Sequence, residues 1–122
     1  MKITVSSILM LALIIVTTVM VAQNLNEKKA KAADTIAYIK RETIGGVFDF
    51  RYVLKNPSEV ITHQGMRFNK NDYYVFLWGE AVSNMGLGSA ENAARLWEEI
   101  HHQKLTNPQR AALRGGFQKK IK

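Results

Sequence analysis

The chain has 122 residues with 17 Lys or Arg, 10 Asp or Glu, a formal net charge of +7 and no cysteine. The absence of cysteine excludes disulfides, thiolate nucleophiles and Cys-ligated zinc or iron–sulfur sites. The length allows one domain at most. A hydrophobic content of 47% excludes the composition typical of disordered chains.

The first element is an uncharged run from Ile3 to Ala22. As a helix this run spans roughly 30 Å, the thickness of the hydrocarbon core of a bilayer. It is longer than the apolar part of a signal peptide, which favours an uncleaved signal-anchor (residues 1–22) over a cleaved signal. Lysines in the stalk that follows (residues 23–31) favour a cytoplasmic domain, whereas the early position of the run is typical of exported chains. We expect a single-pass protein of the cytoplasmic membrane with residues 32–122 on the periplasmic or extracytoplasmic side.

Residues 32–122 carry the pattern of a small, basic, mainly α domain with at most one short strand pair. Apolar positions at helical spacing begin at Ala30 and stop at Gly45-Gly46. Alternation over residues 47–54 predicts a half-buried strand, with a helix as the alternative for so short a segment. Capping residues and glycines mark the remaining elements. The predicted helices run from Asn56 to Gly65, from Asn71 to Gly86, from Ser89 through Lys104 and from Asn107 to Gly115-Gly116.

The C-terminal part of the chain is basic, with six Lys or Arg and no acidic residue from Lys104 to Lys122. Such a segment suits nucleic acid, anionic lipid headgroups or an acidic envelope polymer such as the peptidoglycan surface. No arginine-rich recognition helix or RNP-like aromatic pattern supports nucleic acid, and the anchor favours the surfaces near a membrane. The alternative is a solvated C-terminus without a partner.

Motifs of the common hydrolases and nucleotide-binding proteins are absent. Glu98 and Glu99 form two overlapping Glu-x-x-His pairs with His101 and His102, a spacing found in di-iron bundle proteins. A di-iron site needs a second Glu-x-x-His helix and two further glutamates, and the chain has only three histidines. We therefore predict no metal and no other cofactor.

Two short stretches resemble the lytic transglycosylases and related lysozyme-like proteins. In that family the catalytic Glu is commonly followed by Ser or Thr and then by Gly near a helix end, as in the stretch from Glu42 to Gly46. The family's Ala-x-Ser stretch with Gly-Leu is echoed by the sequence from Ala81 to Gly88. The resemblance implies that Glu42 is the acid/base for cleavage of peptidoglycan, with Ser83 and Asn84 near the saccharide. The alternative is a helix-end carboxylate at Glu42, paired with Lys40 or Arg41, followed by a glycine C-cap and a turn.

An aromatic segment precedes the second of these stretches. Tyr74 and Trp78, together with Tyr73 and Phe76, are candidates for stacking on sugar rings, although aromatic residues at helical spacing more often form a core. Glu80, beside Trp78, is a second candidate acid.

Two functions follow from these features. The first is a non-catalytic envelope protein that binds a protein partner or an acidic envelope surface and regulates lysis, exclusion or secretion, as small single-anchor proteins of phages and mobile elements do. The alternative is a peptidoglycan-cleaving, lysozyme-like enzyme.

Overall fold

The computed structural model describes residues 5–118, with side chains described from residue 22 onward. The chain separates into two units, residues 1–34 and residues 35–122. Helix α1 (Val5–Thr43) begins in the first unit, and its last nine residues belong to the second. The predicted stalk, residues 23–31, is helical and its side chains are exposed.

The predicted anchor, Ile3 to Ala22, lies outside the residues with described side chains, except for Ala22. Where side chains are described, no helix combines the length and the apolar character needed to cross a bilayer. The anchor and the membrane location therefore stay predictions.

Helix α1 ends where the glycine pair predicts. Its last residue is Thr43, and Gly45 follows with a φ of 81°, a left-handed conformation that glycine adopts without a steric penalty. Lys40 and Arg41 lie in the last turn, where positive charge is favourable beside the free carbonyl groups of a helix C-terminus. Ile39 is fully buried and attaches this turn to the core.

The strand predicted over residues 47–54 is wrong, since the segment forms turns and a 3₁₀ helix (Arg51–Lys55). The Asp49 carboxylate accepts hydrogen bonds from the backbone N–H groups of Gly45 (2.8 Å) and Arg51 (3.2 Å). A side chain that bonds its own backbone in this way offers the segment an alternative to extended structure. The alternation of apolar residues is real but belongs to a folded-back loop.

The short helix predicted from Asn56 to Gly65 is also wrong, and the strand pair lies here instead. Strands β1 (Val60–His63) and β2 (Met66–Asn69) are antiparallel, with His63 opposite Met66. Gln64 and Gly65 have φ values of 50° and 79°, as a two-residue type I′ hairpin turn requires. The Asn56 side chain accepts from the N–H of Ser58 (2.9 Å), so it closes a turn and caps no helix.

The other three helices are confirmed, with shifted boundaries. Helix α2 (Lys70–Asn84) is capped by Asn69, two residues before the predicted start, and helix α3 (Ala90–His101) by Ser89, as predicted. Helix α4 (Asn107–Gln118) begins at a capping box, in which the Thr106 hydroxyl and the Gln109 side chain each accept a hydrogen bond from the other residue's N–H.

The predicted end of the last helix at Gly115-Gly116 is wrong, because α4 continues through both glycines to Gln118. A Cβ at Gly116 would overlap the backbone carbonyl of Phe76 on α2. A Cβ at Gly79 on α2 would lie 2.5 Å from the carbonyl oxygen of Leu113 on α4. These glycines therefore allow the two helix backbones to pack at close range.

The core of residues 35–118 lies between the last turn of α1 and helices α2, α3 and α4. This arrangement confirms a mainly helical domain with one short strand pair. Its largest fully buried side chains are those of Ile39, Val75, Phe76, Trp78, Val82, Trp97 and Leu113.

Candidate functional site

Glu42, the predicted acid/base, closes the turn after α1. One carboxylate oxygen accepts from the N–H of Val47 (3.1 Å), and the other lies 3.5 Å from the Nε of Arg41. Its backbone carbonyl accepts from the N–H of Phe48 (2.9 Å). Gly46 packs so closely against this carboxylate that an added Cβ would overlap it. These contacts are those of a helix-end carboxylate that organises a turn.

Trp78, a predicted sugar-stacking residue, is only 2% exposed. Its Nε1–H donates to the hydroxyl of Thr43 (3.1 Å), and that hydroxyl donates to the carbonyl of Ile39 (2.5 Å). Tyr74 lies one turn earlier on α2, where it is half-buried near Trp97 and the pKa of its hydroxyl is raised by burial. Trp78 is thus too buried to stack on a saccharide, and Tyr74 is partly covered.

Ser83 and Asn84 lie at the other end of α2, roughly 7.5 Å or more along the helix axis from Trp78. The Ser83 hydroxyl donates to the backbone carbonyl of Phe117 on α4 (2.7 Å), while Asn84 is exposed at the last residue of the helix. Of the predicted sugar-binding residues, Trp78 therefore lies close to Glu42, because it bonds the neighbouring residue Thr43. Ser83 instead bonds α4.

Asp49 and Arg51 form a bidentate ion pair that the sequence pattern did not indicate. The Arg51 side chain donates to both carboxylate oxygens of Asp49, at 2.8 and 2.6 Å. The Arg51 side-chain bond holds the pKa of Asp49 well below its usual range, with further help from the backbone N–H groups of Gly45 and Arg51. The available signal is weak: an Asp, a residue type favoured in turns, lies three positions after Gly46 and two before an Arg.

Trp97 and His101 stack beside this pair, with ring centroids 4.1 Å apart. The His101 Nδ1 lies 2.8 Å from the Trp97 carbonyl oxygen and donates to it, and burial lowers the pKa of this histidine. The Trp97 Nε1 is buried without a hydrogen-bond partner among residues 22–118. A cavity of about 10 Å³ reaches from these rings to Thr43 and Tyr74, enough for one water molecule and too small for a sugar ring.

Within the described residues, no group of three or more His, Asp or Glu side chains is placed to hold a metal ion, and the glutamates of the two Glu-x-x-His pairs have other partners. The Glu98 carboxylate accepts from the N–H of Leu105 (2.9 Å) and from Arg110 (3.2 Å). The bond from Leu105 is the main cause that lowers the pKa of Glu98. Glu99 instead pairs with Lys40 at 2.8 Å.

The three basic residues of the C-terminal segment that the structure describes lie in ion pairs with α3. Arg110 lies 3.2 Å and Lys104 3.9 Å from Glu98, and Arg114 lies 3.2 Å from Glu91. The other three lysines of this segment, at positions 119, 120 and 122, lie outside the described residues. Within residues 104–118 the positive charge is therefore paired with carboxylates of α3.

A largely apolar groove of about 550 Å³ runs between β2 and α4. Phe68 and Phe76 contribute its aromatic side, with ring centroids 4.9 Å apart. Met66 lies at the edge of the groove and is 47% exposed. Its cross-strand partner His63 is half-buried and contacts Phe76 of α2. Its α4 side consists of Pro108 and three small residues, Ala111, Ala112 and Gly115.

No family model, curated protein or solved structure matches this chain. The resemblance to the lytic transglycosylases therefore stays a prediction, as do the roles that it implies for Glu42, Ser83 and Asn84.

The groove is not evident in the sequence, because it is formed by segments about 40 residues apart. Phe68 and Met66 lie in no predicted element, and the pattern predicts a helix stop at Gly115-Gly116. A run of small residues on one side of α4, from Ala111 to Gly115, is the available signal, since small side chains leave room for a neighbour or a ligand.

Proposed function

We propose that this protein is a non-catalytic, membrane-anchored envelope protein whose folded unit binds a protein partner and thereby regulates a process such as lysis, exclusion or secretion. The observation that carries the proposal is the apolar groove between β2 and α4, with Met66 exposed at its edge. Apolar surface of this kind is stabilised when a partner removes it from water.

The charge of residues 35–118 supports a protein partner over an acidic envelope surface. This segment has ten basic and eight acidic residues. Seven of the ten basic side chains lie in ion pairs. An anionic polymer or lipid surface is attracted by cations that are free to meet it, and pairing reduces that attraction.

The contacts of Glu42, the candidate catalytic residue, and of Trp78, a candidate sugar-stacking residue, support a non-catalytic role. Glu42 closes a turn, and Trp78 is a core residue bonded to Thr43. Both side chains have a structural task that accounts for their position without a substrate.

The test is site-specific photo-crosslinking in cells of the source organism. A photoreactive residue at Met66 of the full chain is expected to give one adduct of defined mass, identified by mass spectrometry. The matched control carries the same residue at Gln103, which is exposed and does not line the groove. Equal labelling from the two positions, or none from Met66, would contradict the proposal.

The enzyme alternative makes a different prediction for the same full chain. A peptidoglycan-cleaving enzyme clears a suspension of cell walls between pH 4 and pH 8, and Glu42→Gln abolishes the clearing while the circular dichroism spectrum stays unchanged. We expect no clearing by either chain. Clearing that depends on Glu42 would replace the proposed function by the enzymatic one.

A further inference from the structure

The groove follows the outer edge of strand β2. All four residues of that strand, Met66–Asn69, line it. Successive side chains of a strand point to opposite faces of a sheet, so a groove that reaches four consecutive residues lies along the edge, where it also meets the backbone.

The register shows which backbone groups point toward the groove. A two-residue hairpin turn makes His63 and Met66 a hydrogen-bonded pair, and such pairs alternate with non-hydrogen-bonded pairs along an antiparallel ladder. Arg67 is therefore in a non-hydrogen-bonded pair, with its N–H and C=O directed away from β1. The same alternation makes Glu59 and Lys70, three residues after Arg67, a hydrogen-bonded pair. The N–H of Lys70 does donate to the carbonyl of Glu59 (3.2 Å).

The two edges of the hairpin differ. On the β1 edge, the Ser58 hydroxyl donates to the carbonyl of Val60 (2.7 Å), which occupies one outward acceptor. On the β2 edge, no hydrogen bond within residues 22–118 reaches the N–H or C=O of Arg67 from outside the hairpin. An open strand edge beside an apolar wall is the arrangement that binds an added strand.

We propose that the groove binds an extended segment of a partner protein, which adds a third strand antiparallel to β2 and carries an acidic residue between two apolar ones. This inference rests on the proposed function, protein binding, and names the chemistry of the partner. Four paired residues give a contact roughly 13 Å long, the length of β2.

The acidic position follows from Arg67. This side chain is exposed, lies on the face opposite to Met66 and Phe68, and forms no ion pair with any residue from 22 to 118. The residue directly opposite it in the added strand has its side chain on the same face, where a carboxylate completes a cross-strand ion pair.

The apolar positions follow from the pleat of the added strand. Residues on either side of the acidic one point to the other face, toward Phe68, Phe76 and the small residues of α4. Asp72 lies at the end of the groove next to the start of α2, and burial raises the pKa of its carboxyl. A second acidic residue there would meet a like charge, which confines the acidic residue to the position opposite Arg67.

The probe is the acetylated, amidated peptide Thr-Val-Glu-Val-Thr, titrated into the ¹⁵N-labelled full chain in detergent micelles and followed by NMR. The amide signals of Arg67 and Asn69 are expected to shift most. Replacing the central Glu by Lys should weaken binding about two- to fivefold, the effect of one cross-strand charge pair. Methylating the backbone nitrogen of the Glu removes its donor and should weaken binding about tenfold.

The decisive variant is Arg67→Glu, which should reverse the order of the two peptides so that the Lys peptide binds better. Its matched control is Arg95→Glu, since Arg95 is also exposed, without an ion pair among residues 22–118, and remote from the groove lining. An unchanged order in Arg67→Glu, or an equal change in Arg95→Glu, overturns the proposal.

Two other outcomes would also decide whether the added-strand proposal stands. Shifts at Arg67 that depend on protein concentration without peptide would replace the peptide by a second copy of this chain. If the peptides fail while the adduct from Met66 persists, the added-strand proposal fails and protein binding stands. If both fail, the proposed function fails with it.

Discussion

Two adjacent glycines of α4 differ only in the space around them, which makes them a matched pair for mutation. A Cβ at Gly116 overlaps the carbonyl oxygen of Phe76 and lies 3.1 Å from the backbone nitrogen of Glu80. A Cβ at Gly115 has the ring of Phe76 as its nearest neighbour, at 3.9 Å, an ordinary van der Waals contact. Gly116→Ala therefore forces α2 and α4 apart, whereas Gly115→Ala does not.

The two variants should change the free energy of unfolding in opposite directions. Alanine is favoured over glycine in a helix interior by about 0.5–1 kcal/mol, so Gly115→Ala should raise the free energy of unfolding by about that amount. At Gly116 the same gain is opposed by an overpacking cost of about 1–3 kcal/mol. Since the propensity term is common to both, the variants should differ by about 1–3 kcal/mol.

Urea unfolding of the full chain, followed by tryptophan fluorescence, measures this difference. Trp78 and Trp97 are both buried in the core, so their emission reports on residues 35–118 and not on the long N-terminal helix. A difference of 1 kcal/mol corresponds to roughly 4–8 °C in Tm for a domain of this size. Equal stability of Gly115→Ala and Gly116→Ala would refute the close packing of α2 against α4.

Three further predictions use the same fluorescence measurement. Thr43→Val leaves the buried N–H of Trp78 unpaired and should cost about 1–3 kcal/mol, while Thr43→Ser retains most of the stability. Burial lowers the pKa of His101, so below about pH 6.5 the unfolded chain binds more protons than the folded chain, and the free energy of unfolding falls as the pH drops. His101→Phe should flatten this dependence between pH 5 and pH 7. A free energy of unfolding that does not change with pH in the wild-type chain would contradict the prediction. Thr106→Ala removes the acceptor for the N–H of Gln109 and should cost about 1 kcal/mol, whereas no loss would show that the cap is dispensable.

The helices could be predicted because their signals are local. Ser89 begins α3 where its side chain accepts from the N–H of Asn92, a bond that depends only on residues three apart. Thr106 and Gln109 form the capping box of α4, and their spacing was available in the sequence as well. Signals of this range need no knowledge of the tertiary structure.

From residue 47 to residue 65 the predicted strand and the predicted Asn56–Gly65 helix are both wrong, and only the helical alternative for residues 47–54 is met in part, by the 3₁₀ helix Arg51–Lys55. Two kinds of local bonding compete in this segment. Apolar alternation indicates a strand, but the Asp49 carboxylate bonds the backbone of its own loop. Asn56 followed by a proline indicates a helix start, but its side chain closes a turn before β1. The competition is settled by packing against α2, which the sequence does not display.

Glycine carries a similar ambiguity. Gly45 ends α1 with a positive φ, and the same prediction made for Gly115-Gly116 is wrong because these residues stay helical. What distinguishes them is the neighbour on another helix, the Phe76 carbonyl beside Gly116. In the sequence, a glycine needed for close helix packing looks the same as a glycine needed for a turn.

The site was harder to predict than the fold, because its residues are joined only by tertiary structure. Glu42 has a sequence context that suggests catalysis, yet its carboxylate bonds the N–H of Val47 in the adjoining turn. Arg67 stands in no motif and becomes notable only when β2 is seen as an edge strand above α4. The local motifs thus indicate side chains such as Glu42 that have contacts inside the fold, whereas the groove proposed to bind a partner is formed by residues that belong to no motif.

The net charge of +7 also has a different meaning once the ion pairs are known. Residues 35–118 have an excess of only two basic residues, and the cations of α4 pair with acids of α3. Electrostatic binding to an acidic surface depends on cationic side chains that are free to contact it. A cation that is already paired with a carboxylate of its own chain is attracted more weakly. In the proposed mode of binding, recognition by residues 35–118 comes from shape, apolar contact and backbone hydrogen bonds, with Arg67 selecting a single acidic residue. Such recognition is only weakly reduced by salt, because one surface ion pair contributes about 1 kcal/mol or less.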